Sequence, residues 1–282
     1  MQFIQLANQV RMPMLGFGVF QISAEETEQA VMNAIQAGYR HIDTAQVYFN
    51  EVEVGKGIAN SGVPREELFI TTKVWVNNAG ETAAYASVLR SLERLNLEYL
   101  DLVLIHQAIG DVFGSWRALE KLQAEGKVRA IGVSNFTPDR LVDLGEFNAV
   151  MPQVDQIEIH PFHQRREHIE ALQEEGVVVQ AWAPFAEGRN DIFHNPILTA
   201  IGKKYGKSVA QVIIRWLLEQ NVVVLSKSTK PERMAENLNV FDFGLTEEDK
   251  QAIATLDLGV TLFSSNTPVG RVRFLKNYTQ DA

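Results

Sequence analysis

The stretch Gly16–Ser23, GFGVFQIS, decides between two folds. It overlaps a short β-prone run, LGFGVF at 15–20, and leads into AEETEQAVMNAIQAG at 24–38. That second segment repeats its apolar residues every three and four positions, the spacing of a helix. A strand followed by a helix suits either a doubly wound sheet or a closed barrel. In a doubly wound dinucleotide-binding sheet the first strand leads into G-x-G-x-x-G, and GFGVFQIS lacks that spacing.

Working outward, the alternation continues to the end of the chain. Seven more strand-like runs follow: YRHID, LFITTKV, LDLVLIH, VRAIGVS, VDQIEIH, VVVQAWA and VVVLSKS. Helical spacing lies between them, as in YASVLRSLERLN, FGSWRALEKLQAEG and SVAQVIIRWLLEQ. Ser23, Thr137 before Pro138, and Ser208 are start signals, and Gly38, Gly126 and Gly176 are stop signals. Eight strands alternating with helices, and no linker between halves, predict an α/β fold, a (β/α)8 TIM barrel. We expect residues 1–282 to form one barrel domain. FIQLANQVRMPM at 3–14 reads as an N-terminal β-hairpin turning at Asn8–Gln9 and plugging the barrel bottom. The tail from Leu258 has little periodicity and is too apolar to hang free, so a loop on the barrel surface or over its mouth is expected.

Composition narrows the function. The 282 residues include no cysteine, which excludes disulfides and thiolate metal sites and fits a reducing compartment. A net charge of −9 argues against nucleic acid or an anionic membrane as the main partner. No apolar run approaches the ~20 residues of a membrane span. The N-terminus lacks the pattern of a signal peptide, so a cytoplasmic protein is expected.

In such barrels the chemistry sits at the carboxyl ends of the strands. The polar residues there include Asp43, Lys73, His106, Ser134, Asn135, Gln156 and Lys227. Tyr48 follows Asp43 by five positions. A phenol with a pKa of about 10 exchanges its proton poorly at neutral pH. A lysine cation nearby would lower that pKa, and Asp43 would keep the lysine charged. A histidine would orient a carbonyl oxygen. Together the four would make Tyr48 a general acid toward a carbonyl that accepts hydride. Taken singly, each also has a plainer role as a cap, a surface lysine or a core side chain, and the spacing leaves several chemistries open.

Six motifs now carry a resemblance: GYRHIDTAQVYFNEVEVGKGI, TTKVW, LDLVLIHQ, GKVRAIGVSNF, QIEIHPF and SKSTKPERMAENLNVFDF. In this order over nearly the whole chain they resemble the aldo-keto reductases, most of all the bacterial and fungal branch that includes 2,5-diketogluconate reductases. The resemblance implies a barrel that binds NADPH in extended form and reduces aldehydes or ketones to alcohols. It implies Tyr48 as proton donor, completed by Asp43, Lys73 and His106. Ser134, Asn135 and Gln156 would bind the nicotinamide carboxamide, and Trp182 would stack on the ring. APFAEGRN at 183–190 would lie along the pyrophosphate. Lys227, Ser228 and Arg233 would hold the 2′-phosphate, with Glu236 and Asn237 at the adenine. A guanidinium forks onto phosphate and a lysine adds a point charge, so the residue types suit that task. The family tendency also implies a monomer.

The chain departs from the family pattern in places. Asp155 stands for the usual asparagine, and strand alternation should turn it away from Gln156. Ser226 stands for the usual proline and would loosen the phosphate-binding segment. Thr229, Lys230, Ala108 and Val52 also differ. Phe20, Trp75 and Gln107 would line the substrate mouth as a largely apolar wall. Arg271, Arg273 and Lys276 would either be solvated or meet an acidic substrate. Two other functions fit parts of the pattern: an NADPH-binding regulatory module with little turnover, and a barrel aldolase forming a Schiff base at Lys73.

Overall fold

A computed structural model describes residues 2–263 and 268–278. Two short antiparallel strands open the chain, β1 (Phe3–Gln5) and β2 (Arg11–Pro13). Gln9 takes a left-handed conformation at their turn, with φ 69°. Eight strands follow: β3 (Leu15–Gly18), β4 (His41–Asp43), β5 (Phe69–Val74), β6 (Leu100–Ile105), β7 (Val128–Ser134), β8 (Val154–Glu158), β9 (Val178–Trp182) and β10 (Val223–Ser226). All eight pair in parallel and close with β10 beside β3. Each expected strand is present and in order, and the expected TIM barrel is the fold.

Parallel neighbours need a crossover, and the helical segments supply it. Ala24–Ala37 ends at Gly38, whose φ of 116° frees its N–H to bond Ala34 O and Ile35 O. Val209–Leu218 starts with a reciprocal capping box between Ser208 and Gln211. Thr137 and Ser23 precede helices without a side-chain capping bond to the backbone.

The strand pleat sorts side chains into two cores. Inside the barrel, Leu102, Leu104, Val154, Val178 and Val223 pack with Leu6 and Met12 from the hairpin. The hairpin therefore closes the bottom of the barrel, and Asn8 Nδ2 donates to Arg129 O at 2.9 Å to hold it there. Outside, residues such as Val103, Ile131, Ile157 and Val179 face the helices. Gly132 is small for a geometric reason: a Cβ there would lie 2.5 Å from Val154 O. Above the apolar layers the inward positions turn polar, and this is the end that carries chemistry.

The tail lies over the mouth. Leu258 N donates to Phe162 O, and Leu262 N and Thr261 Oγ1 donate to Glu158. The weak periodicity of the tail predicts loop throughout, but Pro268–Asn277 is a helix. Val269, Val272 and Phe274 on it are exposed, and Arg271, Arg273 and Lys276 interrupt its short apolar pattern, so periodicity gives little signal. The tail residues 264–267 and 279–282, and Met1 of the expected 1–282 domain, lie outside the described residues. Among the described residues no helix is long and apolar enough to cross a membrane.

Candidate active site

One open cleft of about 1390 Å³ runs across the carboxyl ends of the strands. Asp43, Tyr48 and His106 line it, and Lys73 lies just beneath, fully buried. Strand ends deliver Asp43 and Lys73 from β4 and β5. The short turn Gln46–Tyr48 delivers the phenol.

The ammonium of Lys73 is the hub. Its Nζ donates to Asp43 Oδ1 at 2.5 Å, to Thr44 O at 2.9 Å and to Tyr48 OH at 3.2 Å. Three acceptors use all three of its protons. Burial pulls its pKa down, but Asp43 and then Tyr48 more than offset that, so it is held above the ordinary lysine value. The second carboxylate oxygen, Asp43 Oδ2, accepts from Gln156 Nε2 at 2.8 Å.

The phenol corrects one expectation. Lys73 does pull the Tyr48 pKa down, as the sequence predicts, but the net shift is upward. Burial is the larger influence and raises it, with Lys73 pulling against and Asp43 adding to the rise. Tyr48 therefore keeps its proton at neutral pH, the state a proton donor needs. His106 is pushed well below its ordinary value, first by burial and then by the Lys73 charge. Its imidazole is neutral, with Nδ1 buried and unpartnered. Phe20, Tyr48, His106 and Trp75 make a chain of ring contacts at centroid distances of 4.9, 5.8 and 5.0 Å.

Ser134, Asn135, Gln156 and Trp182 meet on one wall. Trp182 Nε1 donates to Asn135 Oδ1 at 3.0 Å, and Asn135 Nδ2 donates to His106 O and Ser134 Oγ, each at 3.0 Å. Gln156 Nε2 is held by Asp43 and by Gln180 Oε1 at 2.9 Å. Among the described residues Gln156 Oε1 has no partner, which leaves an acceptor on the wall for a carboxamide. Lys227, Ser228, Arg233, Glu236 and Asn237 line the far end of the same cleft. Among the described residues neither Lys227 nor Arg233 has a carboxylate within ion-pair distance, although the chain carries a net charge of −9. An amide acceptor at one end and two unpaired cations at the other fit an extended nicotinamide dinucleotide phosphate. From the APFAEGRN loop, Ala183, Pro184, Phe185, Glu187, Gly188 and Arg189 line the same cleft.

The comparisons with known proteins agree. The model of the Aldo/keto reductase family matches residues 14–257. The chain belongs to the aldo/keto reductase family. This aldo/keto reductase is 48% identical over 257 residues to the 9,11-endoperoxide prostaglandin H2 reductase of Trypanosoma cruzi, covering 90% of this chain and 91% of that protein. It is 46% identical over 256 residues to the glyoxal reductase of Bacillus subtilis, covering 90% and 92%. Among solved structures, the aldo/keto reductase of Brucella melitensis has a TM-score of 0.87 at 40% identity, over 91% of this chain and 99% of that one. The Bombyx mori aldo-keto reductase, crystallised in complex with NADP, has a TM-score of 0.89 at 34% identity, over 94% and 95%. The family uses NADP(H), and the chain is accordingly an NADP-dependent oxidoreductase acting on carbonyl compounds.

The two main departures now have surroundings. Asp155 does face away from Gln156, as alternation required, and is fully buried. Ser226 has a buried hydroxyl, 2.9 Å from Tyr39 OH. Sequence reasoning missed Tyr39, Gln180 and Thr44, because each acts on the site only through residues distant in the chain. Arg271 turns to Gln107 Oε1 at 3.0 Å at the mouth.

Proposed function

We infer that the protein reduces an aldehyde or ketone with Tyr48 as general acid. The observation that carries this reading is the contact of a buried, charged Lys73 with both Asp43 and the Tyr48 hydroxyl. Bound NADPH supplies the hydride. The chain's own residues manage the proton and the orientation. Tyr48 gives its proton to the carbonyl oxygen as negative charge develops there. Lys73, at 3.2 Å, stabilises the phenolate that remains. Asp43 keeps the lysine charged and fixed. Neutral His106 orients the carbonyl oxygen by a hydrogen bond from the ring nitrogen that faces the cleft.

Ser134, Asn135 and Gln156 hold the carboxamide, and Trp182 covers the ring. Lys227, Ser228 and Arg233 hold the 2′-phosphate, with Glu236 and Asn237 at the adenine. Phe20, Trp75 and Gln107 form the substrate wall, which is largely apolar and suits aromatic or aliphatic aldehydes and ketones. A Schiff base at Lys73 is disfavoured, because a lysine held charged by Asp43 is a poor nucleophile.

The test follows NADPH oxidation with a panel of aldehydes and ketones for the natural protein and Tyr48→Phe. Turnover that nearly stops in the variant while NADPH still binds supports the mechanism. Equal rates would remove Tyr48 from the chemistry. NADPH binding without turnover of any substrate would favour the regulatory-module reading. The whole chain is proposed to act as a single-domain monomer, and solution scattering at the mass of a dimer would overturn that.

A further inference from the structure

Ser226 ends β10 directly before Lys227 and Ser228, two of the residues assigned to the 2′-phosphate. Its side chain points out of the barrel into the helix layer, where Tyr39 lies fully buried. The two hydroxyl oxygens are 2.9 Å apart. Asn237, near the end of the helix Pro231–Leu238, is the second polar neighbour of the same phenol. The Tyr39 hydroxyl thus fixes the start of the segment 226–237, where β10 ends. Tyr39 is itself held firmly, with the edge of its ring against Phe17 at 5.7 Å. Burial pushes its pKa up to about 12, so the phenol stays protonated and can both donate and accept.

Beyond that start, the helix Pro231–Leu238 is held by buried Met234 and by Gln211 Nε2 donating to Glu236 O at 3.1 Å, so the lightly tied part is the stretch before that helix. Residues 227–230 belong to no helix or strand. Ser228 Oγ accepts from Lys230 N at 3.0 Å, a local turn with no tie to the barrel. Lys227 and Arg233 are exposed. Long cationic side chains on a mobile backbone pay ordering entropy when they bind a phosphate, and a fixed backbone reduces that loss.

We propose that Tyr39 and Ser226 are positioning residues for the cofactor: their paired hydroxyls form a buried staple that presets the start of the 2′-phosphate segment. The proposal rests on the reading that this segment takes the 2′-phosphate of NADPH. A proline at 226 has no hydroxyl to pair with the phenol. Here the serine rigidifies the segment by a hydrogen bond.

The experiment measures Kd for NADPH and for NADH by protein fluorescence, with kcat at saturating NADPH, on Tyr39→Phe, Ser226→Ala, Ser226→Thr and Arg233→Gln. Tyr39→Phe and Ser226→Ala are expected to weaken NADPH about fivefold, the change one hydrogen bond carries, and NADH by less. kcat should stay unchanged, and Ser226→Thr, which restores a hydroxyl, should bind nearly normally. The thermal shift that NADPH induces should shrink in the two weakened variants. A purely structural role would lower the melting temperature and leave both Kd values alone, and that result overturns the proposal. If Tyr39→Phe does not fold, Ser226→Ala decides alone. Arg233→Gln separates the two levels. If it lowers the NADPH preference while Tyr39→Phe and Ser226→Ala bind normally, the staple is wrong and the phosphate reading stands. If Arg233→Gln leaves the preference intact, the phosphate reading falls and the staple's role falls with it.

Discussion

The Lys73 ammonium stands 3.2 Å from the Tyr48 hydroxyl, with no solvent access of its own. This contact links a permanent charge to the one phenol facing both Phe20 and His106. Lys73→Met should leave a protonated phenol with nothing to stabilise its conjugate base. The expected loss in kcat is about 10²–10⁴-fold, with NADPH binding retained. Single-turnover reduction alongside a cofactor titration checks it, and equal kcat values would reject it.

The pH dependence follows from two shifts of opposite direction. Tyr48 is raised, so the acid form needed for reduction persists up to its elevated pKa, above about 10. His106 is lowered, so it stays neutral down to well below about pH 6. Reduction should therefore be flat between about pH 6 and 9. Alcohol oxidation needs the phenolate and should rise with pH over the same range. A reduction rate that halves as pH rises through neutrality would contradict the Tyr48 assignment, and one that halves as pH falls through it would contradict the His106 assignment.

Asp155 carries a stability prediction. Among the described residues neither carboxylate oxygen has a hydrogen-bond partner, and His168 Nε2 stands 3.6 Å away. Burial raises the pKa of Asp155 well above the ordinary value, with Arg165 pulling against it. His168 is lowered to about 4, first by burial and then by Arg165. In the folded protein Asp155 thus holds a proton that the unfolded chain has lost above about pH 4. Its contribution is fully present below that value and is lost as pH rises toward the folded pKa. Asp155→Asn, the residue usual in the family, should stabilise the fold by about 1–3 kcal/mol at neutral pH and far less at pH near 4. Urea melts at the two pH values test this, and an equal effect at both would refute the buried-proton account.

At the mouth, Arg271 donates to Gln107 at 3.0 Å and Trp75 Nε1 donates to Tyr278 O at 3.2 Å. These bonds seat the tail helix beside His106. Arg271→Ala should raise KM by about threefold, the order of one exposed hydrogen bond, without altering the NADPH Kd. A change in NADPH affinity instead would place Arg271 in the cofactor site.

Much of this molecule could be read from the chain alone, because the informative signals were local or periodic. Strand and helix spacing, the glycine stop at Gly38, the Ser208 cap and the hairpin turn at Gln9 are each set by near neighbours in sequence. The positions of Asp43, Lys73 and His106 at strand ends follow from that order once a barrel is assumed. The sign of the Tyr48 shift did not follow, because it depends on how much water the fold removes from the phenol relative to the Lys73 charge. The tail helix gave little signal, since charged residues interrupt its short apolar pattern. Nor could the sequence couple Tyr39 to Ser226, 187 positions apart. Such contacts arise only when barrel closure brings β10 beside β3, so tertiary packing decided them.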